Sequence, residues 1–213
     1  MDLRLLYKNN HVFFLGFLLF VAVSIFILLG YTKEEGFYLL NLYHSGMLTY
    51  FFIYATYLGD GFFCIAIGLL LFLFKRRFLS VVVLSSYAIS GIVAQVLKYY
   101  VIEPRPAILL KESSYRYFIE DVTLHNLHAF PSGHTASAFA LAGVLSFAAT
   151  NKNYSVLLLL AAIFVGYSRI YLGQHFMDDV LAGSIIGVTS AIICQLFFKK
   201  FAERKFFSTA SNA

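Results

Sequence analysis

Apolar residues in this chain run in long, nearly unbroken stretches separated by short polar ones, not in the strict alternation of half-buried strands. About six stretches are long enough to cross a hydrocarbon core, which takes about 20 residues of helix. They cover 11–31, 49–74, 78–101, 133–150, 154–172 and 178–198. The connection from Ile102 to Pro131 is the long exception. It is rich in charged, serine, histidine and aromatic residues, and it holds two of the three prolines, Pro104 and Pro106. No internal repeat or low-complexity tract interrupts the pattern. It predicts an all-α polytopic membrane protein, a six-transmembrane-helix bundle forming one domain over residues 1–213.

Composition agrees with that pattern. Of 213 residues, 60% are hydrophobic and only 13% charged, where a soluble domain carries roughly a quarter charged residues. With tryptophan absent, tyrosine is left to form any aromatic belt at the bilayer surface. The net charge of +5 includes no basic stripe interleaved with aromatics outside the spans, so no nucleic-acid partner is expected. Cys64 and Cys194 lie singly inside apolar runs and read as small buried hydrophobes. The N-terminal stretch has too long an apolar core and no small-residue cleavage site for a removable leader, so the first span is expected to be retained.

Positive charge orients the spans. Arg4 and Lys8 precede the first, and Lys75, Arg76 and Arg77 join the second to the third. Lys152 joins the fourth to the fifth, and Lys199, Lys200, Arg204 and Lys205 follow the last, in a short tail of about 199–213. Alternating spans put all of these on one side. That side is then cytoplasmic and holds both termini, and a cell inner membrane with a periplasmic outer face is expected. The long loop between spans three and four becomes extracytoplasmic. The outer side keeps Lys33, Lys98, Arg105, Lys111, Arg116 and Arg169. Half of these have a chemical reason to be there.

Ionisable residues at the edge of a membrane are costly to keep and read as functional. Three short motifs hold them here: Lys98 with Arg105-Pro106, then Pro131-Ser132-Gly133-His134, then Ser168-Arg169 with His175 and Asp179. The topology puts every piece on the extracytoplasmic face. The guanidinium forks of Arg105 and Arg169 suit bidentate binding of phosphate oxygens, and Lys98 adds a point charge. Ser132 and Gly133 open a predicted helix, where free N–H groups and the dipole favour an anion; taken alone they read equally well as a helix N-cap. His175 and Asp179, four apart, are expected to share a helix face, so that the carboxylate can hold one imidazole nitrogen protonated.

The pattern K-x6-R-P, P-S-G-H, S-R-x5-H-x3-D resembles the three-part signature of the type 2 phosphatidic acid phosphatase superfamily. That superfamily includes membrane lipid phosphatases and vanadium haloperoxidases. The resemblance implies a substrate-binding set of Lys98, Arg105, Ser132, Gly133 and Arg169. It makes His175 a nucleophile that forms a phosphohistidine, with Asp179 orienting it. His134 becomes the general acid and base that protonates the leaving group and then activates water. No cofactor and no metal are expected, since the cations replace magnesium and so few spare carboxylates suit a hard cation poorly.

The expected function is hydrolysis of a lipid phosphate monoester or diphosphate at the periplasmic face. Undecaprenyl diphosphate, a lipid A phosphate and a glycerophospholipid phosphate are the candidate substrates. The partners are then the lipid and the bilayer, and the oligomeric state stays open. A phosphotransferase would use the same phosphohistidine with a lipid acceptor. The multi-span form argues against a haloperoxidase. A transporter would hold its ionisable residues near the midplane, and here they cluster at one face.

Several residues keep two readings. His125 and His128 touch a lipid headgroup or sit in a solvated loop. Asp60, within Gly59-Asp60-Gly61, marks a kink or an outer helix end, or else joins the pocket. Asp178 reads as a helix-start residue pointing away from Asp179. Gly183 and Gly187 permit close helix approach, within the chain by default or between copies. The loop from Leu109 to Phe130, with Tyr115, Tyr117, Phe118 and Ile119 among Lys111, Arg116, Glu120 and Asp121, is expected to lie in the interface and govern specificity.

Overall fold

The structure is a computed structural model. It describes residues 2–110, 115, 118 and 127–210, with side chains as far as 202. The loop residues Lys111, Arg116, Tyr117, Ile119, Glu120, Asp121 and His125 lie outside the described residues. Everything regular among the described residues is helical. In chain order the helices are α1 (Leu3–Asn9), α2 (His11–Gly30), α3 (Lys33–Leu40), α4 (Gly46–Thr56), α5 (Gly61–Leu73) and α6 (Arg77–Tyr100). They continue with α7 (Pro106–Leu109), α8 (Gly133–Ala148), α9 (Asn153–Tyr171) and α10 (Met177–Ala210).

Side chains set the starts of several helices. Thr32 and Glu35 close a capping box at α3, and Ser45 caps α4. Asp60 accepts from the Phe62 amide at 2.9 Å and starts α5. One 3-10 turn, Tyr57–Gly59, separates α4 from α5, and the two helices meet at 54°. The second apolar run is therefore a broken span, and Asp60 sits at its kink.

Among the described residues, four helices are long and apolar enough to cross a membrane: α2, α6, α9 and α10 to Ala202. The bent α4–α5 pair makes a fifth if it counts as one span. The remaining predicted span is α8, which has only 16 residues. Every residue from 135 to 144 is buried, as expected of a helix apolar on all sides at the centre of a bundle. α6, α9 and α10 pack around it. α2 lies outermost, with half of its residues exposed on the protein surface and only Phe13 and Ser24 buried. The predicted tail from 199 continues α10 as helix through Ala210.

Small residues allow the tightest of these contacts. A Cβ on Gly183 would stand 2.5 Å from the Ser132 carbonyl oxygen, and one on Gly187 would overlap that of Ala136 and lie 2.8 Å from the Ala140 amide. The two glycines thus press α10 onto the backbone of α8, which is the intramolecular use of the motif. Gly187→Val is expected to destabilise the bundle by about 3 kcal/mol, the upper range of overpacking costs. Thermal unfolding in detergent measures this; an unchanged midpoint would show that the two backbones are not in contact.

The bundle has two chemically different ends. At one, Lys75, Arg76 and Arg77 share a shallow depression with Ala148 and Lys199. Lys152 joins this end by donating to Asn10 Oδ1 and to the Ala149 carbonyl, each at 2.7 Å. The other end collects the three motifs. Between the ends Cys64 and Cys194 are free and buried in one apolar cluster with Val82, Val83 and Val144.

Candidate active site

The first motif begins where α6 stops. Pro104 and Pro106 keep the chain out of helix as it leaves α6, and Arg105 takes an extended conformation (φ -81, ψ 163) as the cap of α7. The guanidinium is buried. Its Nη1 donates to Gln174 Oε1 at 2.9 Å and more weakly to the Gln174 carbonyl at 3.4 Å. Lys98 donates from Nζ to the His128 carbonyl at 2.9 Å, while His128 Nδ1 lies 2.7 Å from the Lys98 carbonyl. His128 is in the left-handed region, with φ 60, and this reciprocal clip holds it there. Of the two readings offered by the sequence, the exposed loop position is the one observed, and from it His128 also fastens the loop to the end of α6.

Ser132 caps α8. Its Oγ accepts from the Thr135 amide at 3.4 Å and the Thr135 hydroxyl at 2.8 Å. Its own amide donates to the Asp179 carbonyl at 3.0 Å, tying the second motif to the third. The amides of Gly133 and His134, in the first turn, have no acceptor within the helix.

The third motif is built around a tight helix end. Gly173 adopts φ +66, the left-handed conformation that closes a helix at low cost in glycine. The Gln174 and His175 amides then turn back to the Arg169 carbonyl at 2.9 and 3.1 Å. That turn buries His175 and places its Nδ1 3.2 Å from Asp179 Oδ2. The geometry corrects one sequence expectation. His175 and Asp179 do not share a helix face, because α10 starts at Met177. Asp179 reaches back over the first turn instead, and the same Oδ2 accepts from the Phe176 amide at 2.9 Å. Its Oδ1 is buried with no partner among the described residues.

Arg169 is buried at the end of α9 and donates from Nη1 to Thr56 Oγ1 at 2.7 Å. Its Nε has no partner among the described residues. The kinked span therefore supplies a support for this arginine, and a donor stays unused. Next to Gly59 and Gly61 a cavity of about 510 Å³ opens between α5, α6 and the start of α8. Lys98, Gly133 and His134 line its polar end.

Electrostatics join the pieces. Burial holds the His175 pKa well below the ordinary histidine value, and Arg169, Arg105, Lys98 and His134 push it further the same way. Burial also lowers Arg105, with the Asp179 carboxylate partly opposing it. The eight residues singled out from the sequence are thus gathered at one end of the bundle: Lys98, Arg105, Ser132, Gly133, His134, Arg169, His175 and Asp179. Such a set can bind a phosphate with its cations, present a neutral imidazole to it and hold a second imidazole nearby.

Sequence reasoning missed the residues that brace this set. Gln174 orients Arg105, and Thr56 orients Arg169. Lys33 bridges Glu103 and Asp178 at 2.7 Å each and stands 4.9 Å over the Phe176 ring. Burial opposes its charge, but the two carboxylates outweigh that and raise its pKa above the ordinary lysine value. The bridge ties the segment bearing Arg105 to the start of α10. Oxygens of Glu103, Asp178 and Asp179 lie within 4.8 Å of one another, closer than the opposed directions expected of neighbouring helical residues. The Lys33 ammonium supplies a cation to two of the three. In the described part of the long loop, Tyr115 packs on Phe37 and Phe118, with centroids 5.1 and 4.9 Å away, and approaches His44 Nε2 at 3.1 Å. These two aromatics cover the site's flank.

Comparison with known proteins adds relatives to this geometry. A family model described as the PAP2 superfamily matches residues 79–203. The chain is 27% identical over 187 residues to an undecaprenyl-diphosphatase of Sulfolobus acidocaldarius, covering 84% of this chain and 87% of that one. It is 28% identical over 147 residues to phosphatidylglycerophosphatase B of Bacillus subtilis, covering 64% and 66%. Among solved structures, LpxE of Aquifex aeolicus superposes with a TM-score of 0.62 at 33% identity, over 78% of this chain and 95% of that one. A PAP2-type phosphatidylglycerolphosphate phosphatase from Bacillus subtilis superposes with a TM-score of 0.66 at 24% identity, over 91% and 97%, a likeness of fold.

Proposed function

This chain belongs to the PAP2 superfamily, and from that premise we propose that it is an integral-membrane lipid phosphatase working through a phosphohistidine. Its relatives make it a phosphoric ester hydrolase of lipids, with undecaprenyl diphosphate, lipid A and glycerophospholipid phosphates as the candidate substrates. One observation carries the mechanism: a buried His175–Asp179 pair under the influence of Arg169, Arg105 and Lys98. In the proposed reaction the three cations and the first-turn amides of α8 neutralise the phosphoryl oxygens. Asp179 accepts a hydrogen bond from Nδ1–H, which keeps the proton on that nitrogen and leaves the Nε2 lone pair for phosphorus. As the P–N bond forms, the bond to the leaving oxygen breaks, and His134 gives that oxygen a proton. His134 then takes a proton from water, whose oxygen displaces His175 and releases inorganic phosphate.

The same reading makes residues 1–213 one membrane-embedded domain of six spans, the broken α4–α5 pair and the short α8 each counted once. Basic residues gathered at the end opposite the motifs support cytoplasmic termini and a site facing the periplasm of a cell inner membrane.

Phosphate release from a panel of lipid phosphates, with detergent-solubilised protein in excess EDTA, tests the assignment. The expected result is release at a rate unchanged by the chelator. Release from no lipid, or only after divalent metal is added, contradicts it.

The lowered His175 pKa also fixes a pH dependence. The acidic limb of kcat/KM belonging to the free enzyme's nucleophile is expected below pH 6.5, once the substrate's own ionisation is subtracted. The sign for stability follows from the same shift: between the lowered value and 6.5 the unfolded chain binds the proton and the folded chain does not, so stability falls as pH falls through that window. A nucleophile limb above pH 6.5 would contradict the buried, neutral histidine.

A further inference from the structure

The cavity continues from the phosphate end along one stripe of α6. Tyr87, Gly91, Gln95 and Lys98 follow at spacings of four, four and three residues, and all four line it. Residues so spaced share a helix face. Gln95 is one turn from Lys98, about 4.5 Å along the axis, on the side away from the motifs. It is exposed and makes no hydrogen bond among the described residues. The lining on this side is mostly apolar (Ala88, Ile92, Ala94 and Val96), with Tyr87 and Ser137 adding hydroxyl groups. The exposed carboxamide stands at the edge of the cavity one turn from its phosphate end, so a bound molecule that supplies an acceptor there gains a hydrogen bond.

The position and charge of Gln95 say what that acceptor is. Three cations already serve the phosphate, and a second phosphate one step deeper would call for another cation, which this stripe lacks. An uncharged amide suits an uncharged carbonyl oxygen. In an acylated lipid phosphate the nearest ester carbonyl stands a few bonds from phosphorus, a reach comparable to one helical turn of about 5 Å. A polyprenyl chain offers no acceptor at that depth. We infer that Gln95 is a specificity-determining residue whose side-chain N–H donates to an ester carbonyl of the substrate, and that the substrates are acyl-ester-bearing lipid phosphates rather than polyprenyl diphosphates. The inference rests on the phosphatase reading above.

The test compares phosphate release by the purified full-length protein from three substrates in mixed micelles: a diacyl phosphatidate, its dialkyl ether analogue and a polyprenyl diphosphate. Wild type and Gln95→Met are measured side by side. Methionine keeps the length of the side chain without a donor, and the exposed position leaves the packing of α6 intact. The expected result is a kcat/KM ratio of ester to ether substrate of about five- to tenfold in wild type, the worth of one neutral hydrogen bond, falling to near unity in Gln95→Met. Three results would overturn the inference: no ester preference in wild type, a preference that survives the substitution, or a polyprenyl diphosphate that is the better substrate. Failure of wild type to release phosphate from these three and from a lipid A phosphate defeats the phosphatase reading itself, and the inference with it.

Discussion

His175→Ala is expected to lower kcat by about 10⁴-fold or more, with a much smaller change in KM. Removing the nucleophile of a covalent mechanism takes away the bond-forming atom, whereas the groups that bind the ground state are untouched. Here those groups are separate residues on other elements: Lys98 on α6, Arg105 at the cap of α7 and Arg169 at the end of α9. They should still hold the lipid phosphate. His175 is buried and its amide, not its side chain, closes the turn onto the Arg169 carbonyl, so alanine leaves the backbone arrangement in place. Steady-state phosphate release, read beside the thermal midpoint, checks both halves of the expectation. A variant that keeps a tenth of the activity would place the nucleophile elsewhere.

Asp179→Asn carries the second largest effect, a fall in kcat of about 10³-fold or more, in the range seen when the orienting acid of a triad is made neutral. Both orientations of the new amide lose something. With its oxygen in the place of Oδ2 it keeps the bonds to His175 Nδ1 and the Phe176 amide. It then forfeits the negative charge that steadies positive charge building on the imidazole. Turned over, it presents N–H groups to Nδ1, pins the proton on Nε2 and removes the lone pair meant for phosphorus. The readout is kcat with KM near wild type; a rise in KM alone would make Asp179 a binding residue.

Much of this site was legible in the sequence because its residues come in short motifs at fixed spacings, and because charge at the end of an apolar run is conspicuous. The limits of α2, α6 and α9 fall within one or two residues of the predicted spans for the same reason: long apolar runs leave little freedom in where a helix stops. Other features left weaker local traces. The Gly59-Asp60-Gly61 stretch hinted at a kink, but the 54° bend and its use in holding Arg169 through Thr56 depend on packing against α9. The Lys33–Glu103 bridge joins residues 70 apart in the chain, and no periodicity announces such a partner. The His175–Asp179 spacing suggested a helix, whereas the start of α10 at Met177 is set by the turn that Gly173 and Asp179 build together.

The central claim, a covalent phosphohistidine on His175, is tested most directly by trapping. Wild-type protein is mixed rapidly with labelled lipid phosphate and quenched in alkali, which spares phosphoramidates, and its peptides are sequenced by mass spectrometry. The account predicts label on the peptide holding His175, at that residue, and its disappearance when unlabelled substrate is chased in. Turnover without any labelled protein, or label on Ser132 or His134 in its place, would contradict it.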